Sequence, residues 1–203
     1  MDLFIEQGRR RVFASALDWP GLARSGRDED LAIERLAAYT SRYGAVCLRA
    51  GVAPPEGGWT VVERARGNAT TDFGAPAIIA GRDRTGLDRP LREVWREILM
   101  SAWAAFDEAA SRAGPLRLGP RGGGRQADAI VEHVVDTERV YARKCGAVDS
   151  GSGGVKGVGP VREAILERLG SDDREASSWP LRYGIRRITW HVLDHLWEIE
   201  DRV

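Results

Sequence analysis

Apolar and polar positions change rhythm twice along the chain, and the changes predict its elements. From Arg11 to Leu17 they alternate loosely at period two, Trp19-Pro20-Gly21 turns the chain, and residues 22–25 read as a second short strand. Asp28 stands where an N-cap belongs. After it Leu31, Ile33, Leu36, Ala37, Tyr39, Tyr43, Val46 and Cys47 recur at helical spacing up to a stop at Gly51, which predicts one amphipathic helix of about 20 residues. Past Pro54-Pro55-Glu56-Gly57-Gly58, residues 59–64 predict a third strand and residues 75–80 a fourth.

From Arg89 onward the texture is helical. Four segments are predicted, over 90–113, 126–145, 160–169 and 181–202, with Pro90 in a favourable first turn and Gly114, Gly146 and Gly170 just past three of the ends. Val94, Trp95, Ile98, Leu99, Ala102 and Phe106 form the apolar face of the first; Ile185, Ile188, Val192, Leu193, Leu196, Trp197 and Ile199 form that of the last. Four such stripes hide one another most economically in a four-helix bundle. The expected fold is mostly α, with residues 1–85 a small α+β segment (strand-strand-helix-strand) and residues 86–203 a four-helix bundle. Trp95, Trp103, Trp190 and Trp197 are expected in the bundle core. Two glycine-rich linkers, 114–124 and 147–159, exceed the roughly two to eight residues usual between bundle helices, which makes them candidates to line a site.

At 203 residues and 43% hydrophobic, the chain can bury a real core. Thirty basic and thirty acidic side chains cancel, removing the field that non-specific nucleic-acid binding needs, so nucleic acid is not the expected main partner. No run reaches the roughly 18 to 20 apolar residues of a membrane span, and the opening residues carry no export signal. Cys47 and Cys145 lie far apart, which excludes a cysteine zinc knuckle and a disulfide framework. A cytoplasmic protein acting on a small molecule is expected. Only Lys144 and Lys156 are lysines, so nearly every cation is an arginine suited to bidentate anion contacts.

The three histidines carry the chemistry. His191 and His195 are four apart on the last predicted helix, about 40° apart around its axis and one turn along it. His133 lies in the second of the four helices, which a bundle can set beside the last. Three neutral imidazoles suit Zn²⁺, Ni²⁺ or Fe²⁺ and leave a position open for an exchangeable ligand. An i, i+4 histidine pair also occurs as a simple polar stripe, and His133 among Val131, Val134 and Val135 also reads as a hydrogen-bonded core residue.

The segments Gln126-Ala127-Asp128-Ala129-Ile130-Val131-Glu132-His133 and Arg187-Ile188-Thr189-Trp190-His191-Val192-Leu193-Asp194-His195-Leu196-Trp197-Glu198 resemble helices two and four of the DinB/YfiT-like four-helix bundle superfamily. The resemblance spans about residues 89–203. It implies that His133, His191 and His195 hold a divalent metal, and it implies a thiol-dependent transferase or isomerase using mycothiol, bacillithiol or glutathione. A metal-hydroxide-dependent hydrolase would use the same open position. Residues 13–28 and the helix after them are similar to the opening of HicB-like antitoxin domains. That similarity implies the competing reading, a regulatory or ligand-binding module with a structural metal or none, and a sheet edge available to a homodimer.

Around the histidines, Glu198 lies on the metal face one turn beyond His195, as an acid–base or orienting group or a partner of Arg202. Arg187, one turn before His191, is the candidate clamp for an anionic cofactor or substrate, with Arg186 beside it. Thr137 and Tyr141 follow His133 at helical spacing, Asp194 points to one side, and the run 119–125 offers a glycine-rich anion nest.

Overall fold

The computed structural model describes residues 1–118, 124–147, 158–171 and 177–203. Within them the chain forms β1 (Asp2–Gln7), β2 (Val12–Ala16), β3 (Ala23–Gly26), α1 (Glu29–Arg49), β4 (Thr60–Arg66), α2 (Ala69–Phe73), a 3-10 turn (Gly81–Arg84), α3 (Arg89–Arg112), α4 (Ala127–Lys144), α5 (Val158–Gly170) and α6 (Leu181–Arg202). The architecture is mostly α with a small sheet, as the periodicity predicts. Capping sets two of the starts: the Asp28 carboxylate accepts from the Leu31 N–H at 2.9 Å, and the Asp88 carboxylate accepts from the Leu91 N–H at 2.9 Å with Pro90 in the first turn. The anion nest expected over 119–125 and the linker over 147–159 fall largely outside the described residues.

The sheet has order β3-β2-β1-β4, with β1 antiparallel to β2 and parallel to β4. Its second central strand, β1, has no counterpart in the sequence reading. Leu3, Phe4 and Ile5 are all buried because both faces of β1 are covered, so the strand shows a short apolar run instead of an alternation. The strand expected over 75–80 does not form. Three of its backbone N–H groups serve carboxylates: Ala77 and Ile78 donate to Glu6 at 2.9 Å, and Ala80 donates to Asp83 at 2.9 Å. With those donors spent and Pro76 lacking one, no ladder remains to be built.

One face of the sheet (Leu3, Ile5, Val12, Ala14) joins Ala32, Leu36 and Tyr43 of α1 and the apolar faces of α3, α4, α5 and α6 in a single core. On the other face Phe4 packs with Leu17 and Ala80, and Phe13 and Ala23 pack with Trp190. Trp95, Trp103 and Trp197 lie in the main core, whereas Trp190 turns to the sheet and meets Phe13 edge-on at 6.0 Å. The four later helices pack on one another, with α6 in contact with both α3 and α4.

Helix α6 is the hub. Every residue from Arg182 to Leu193 is buried, although its sequence predicts only one buried side. The other side is covered by the β2–β3 turn, where Tyr43 donates to the Pro20 carbonyl at 2.9 Å. Gly21 sits there at φ +88°, and a Cβ on it would lie 2.8 Å from Thr189 and Leu193 side-chain atoms. Only glycine satisfies both the backbone and the approach. At the seam with α4 a Cβ on Gly184 would lie 2.0 Å from Cys145 Sγ, so the two backbones meet through that glycine.

Candidate metal centre

The α4–α6 contact brings His133, His191 and His195 together. Their ring centroids are 4.7 to 5.1 Å apart, and one ligand atom from each falls within a 4.8 Å group. His133 Nε2 and His191 Nε2 are 3.2 Å apart. Two nitrogens bound to one tetrahedral zinc at about 2.0–2.1 Å are separated by about 3.3 Å, so this pair already has the spacing of a coordination edge.

The third imidazole is oriented from behind. His195 Nδ1 lies 2.8 Å from Glu198 Oε2, and Arg202 Nη1 donates to the other carboxylate oxygen, Oε1, at 2.8 Å. Arg202 is itself fixed by donating from Nε to the Arg117 carbonyl at 2.9 Å. In a neutral ring this contact places the proton on Nδ1, towards Glu198, and leaves the Nε2 lone pair free, the arrangement by which carboxylates orient metal-binding histidines. Of the readings of Glu198, the pair with Arg202 is present, and the same carboxylate meets His195 Nδ1.

Electrostatics keep the His133 and His191 rings neutral. Burial, reinforced by His195 and then Arg187, pushes His191 down to about 2. Burial, followed by His195, also lowers His133. The hydrogen bond from His195, with help from Arg202, holds the Glu198 carboxyl below its ordinary value. Neutral imidazoles beside an ionised carboxylate are what a divalent cation requires of its donors.

Arg187 is buried, 7% exposed, with its guanidinium carbon 5.1 Å from the Tyr141 ring centroid and 4.5 Å from that of Trp190. Among the described residues its Nη1 has no hydrogen-bond partner, and neither has His191 Nδ1. Tyr141 lines this side with its ring 5.9 Å from His191, stacked against Trp179. Arg186 plays no part here: it points away and donates to Asp83 at 3.0 Å. Asp194 stands aside as the sequence predicts, paired with Arg24 at 2.6 Å. Thr137 is half-buried on α4. Arg24 and Trp179 escape the sequence reading, because Arg24 reaches Asp194 and Trp179 reaches Tyr141 across a large chain separation that leaves no local signal.

Comparison with protein-family models, with curated proteins and with solved structures finds no match. What fold and site define together is a mostly helical chain with a three-histidine donor set between two of its helices. Among the described residues no helix is long and apolar enough to cross a membrane.

Proposed function

We propose that this chain is a divalent-metal-dependent enzyme of the DinB/YfiT-like kind, a four-helix bundle that uses a low-molecular-weight thiol such as mycothiol or bacillithiol to attack a small electrophile in the cytoplasm. One observation carries the proposal: three imidazoles from two helices converge, and one of them is hydrogen-bonded from behind by a carboxylate. Among the described residues no fourth histidine, cysteine, aspartate or glutamate joins the group. That favours a reactive site with exchangeable positions over a closed structural one.

His133, His191 and His195 would hold Zn²⁺, Ni²⁺ or Fe²⁺, the ions that suit imidazole donors. Such an ion, when bound, lowers the pKa of a thiol so that thiolate is available near neutral pH. Glu198 keeps the proton of His195 on Nδ1 and so directs Nε2 inward. Arg187 presents its unpartnered Nη1 beside His191 and binds a carboxylate of the thiol or of its electrophile. Both cysteines are buried, with burial pushing each thiol up to about 12, so the nucleophile is not drawn from the chain itself.

Metal analysis of protein purified without a histidine tag, with His191→Ala as control, tests the ligand set. About one equivalent in the wild type and its loss in the variant are expected; equal metal content in both rejects the assignment. Adding each thiol to the cobalt-loaded protein tests the cosubstrate. A new sulfur-to-cobalt absorption band is expected, and its absence for every thiol rejects the thiol reading while leaving the metal site standing.

A further inference from the structure

Trp190 and Asp194 lie about 100° around α6 from the midpoint of His191 and His195, and on that flank they help to line a second pocket of about 290 Å³. That volume is at the small end for ligand-binding cavities. Its charged lining is lopsided: Arg11, Arg24 and Arg35 stand against the single carboxylate of Asp194. Arg24 is held on one side, although among the described residues its Nε has no hydrogen-bond partner. It donates to Asp194 at 2.6 Å, and its guanidinium carbon lies 3.8 Å from the centroid of Tyr39 and 4.2 Å from that of Trp197, which makes it a fixed wall.

Arg11 and Arg35 are not neutralised. Arg11 donates to the Ser25 hydroxyl at 3.3 Å and Arg35 donates to the Ser25 carbonyl at 3.0 Å, so two like charges converge on one neutral residue. Among the described residues neither meets a carboxylate within ion-pair distance. A second observation points the same way. Trp190, which also lines the pocket, is 5% exposed, and among the described residues its Nε1 has no hydrogen-bond partner, so a buried donor beside the arginines is left without an acceptor.

We infer that this pocket binds a small organic dianion. Two guanidinium forks matched to acidic oxygens are the donors that such a ligand takes up. A dicarboxylate and a phosphate ester share this chemistry. The inference does not depend on the histidines holding a metal.

Calorimetric titration of the metal-free, full-length protein at low ionic strength tests it, with succinate, inorganic phosphate and, as the singly charged control, acetate. Saturable binding of succinate or phosphate is expected, about tenfold or more tighter than acetate, and Arg11→Ala and Arg35→Ala each weaken it by about tenfold or more, the value of one charge-assisted hydrogen bond. Both arginines are at least partly solvent-exposed, so unchanged melting temperatures are expected and exclude a folding artefact. Stronger binding of succinate assigns a dicarboxylate, and stronger binding of phosphate assigns a phosphate ester; either supports the dianion. His191→Ala binds as the wild type does. No saturable heat with either dianion, equal affinity for acetate, wild-type affinity in both arginine variants, or loss of binding in His191→Ala overturns the inference.

Discussion

Replacing Glu198 by glutamine tests the orienting role of that side chain without removing its bulk. The carboxylate accepts from His195 through one oxygen and from Arg202 through the other, both at 2.8 Å. Glutamine has a single acceptor oxygen, so one of the two donors must face an NH₂ group. If His195 loses, its ring is free to turn and its tautomer is no longer fixed. Loss of such an outer partner costs about 10- to 100-fold in metal affinity. At a zinc concentration 100 times the wild-type Kd, metal binding stabilises the folded wild type by about 3 kcal/mol, and a 10- to 100-fold weaker variant keeps only about 1.5 to 0.5 kcal/mol. For a chain of this length each kcal/mol moves Tm by about 2–4 °C. The zinc-induced rise should therefore fall from about 5–11 °C in the wild type to about 1–6 °C in Glu198→Gln. Differential scanning calorimetry with and without zinc reads both numbers in one experiment. An identical zinc-induced rise in the two proteins would refute the orienting role, and a variant unable to bind zinc at all would make Glu198 a ligand instead.

Three further outcomes are expected. Asp83→Ala strands Arg186, which is 7% exposed, and should cost about 3–5 kcal/mol by urea denaturation, whereas Asp83→Ala combined with Arg186→Met should recover most of the loss. A fragment of residues 86–203 should show no cooperative thermal transition, because it lacks Asp18 and Asp83, the partners of Arg182 and Arg186, and the sheet face against Trp190. Glu198 is held below its ordinary value of 4.5, so its contribution to stability is complete above that value and is lost as the pH falls through the lowered one. The Tm gap between metal-free wild type and Glu198→Gln should accordingly narrow on acidification below about pH 4.5.

Local chemistry made most of the helices legible. Asp28 and Asp88 as N-caps, Pro90 in a first turn and the period of the apolar positions place α1, α3, α4, α5 and α6 within a few residues of their observed bounds. The histidine pair is legible for the same reason, since an i, i+4 spacing is a local fact. That His133 joins it is a fact of packing, and the spacing of His191 and His195 offers no hint of it. β1 was hidden because a strand buried on both faces has no alternation to detect. Residues 75–80 misled because their strand-like composition is overridden by two carboxylates outside the segment, Glu6 and Asp83, that accept from their N–H groups. Arg24 with Asp194 and Arg186 with Asp83 are separated by 170 and 103 residues, and no local pattern encodes such a pairing.

The charges buried on α6 separate scaffold from site. Arg182 is neutralised by Asp18, Arg186 by Asp83 and Arg202 by Glu198, and each of these pairs ties the helix to a neighbouring segment or to the histidine cluster. Arg187 is equally buried, yet among the described residues it has aromatic rings for company and no carboxylate within ion-pair distance. A buried cation without a counter-ion costs several kcal/mol, and the cation–π contacts return only about 2 kcal/mol. Fold stability alone does not explain keeping an arginine there when the three beside it are paired. The deficit makes sense if an anionic ligand offsets it on binding, one turn of helix from the imidazoles, since violations of the packing rules collect where a protein does its chemistry.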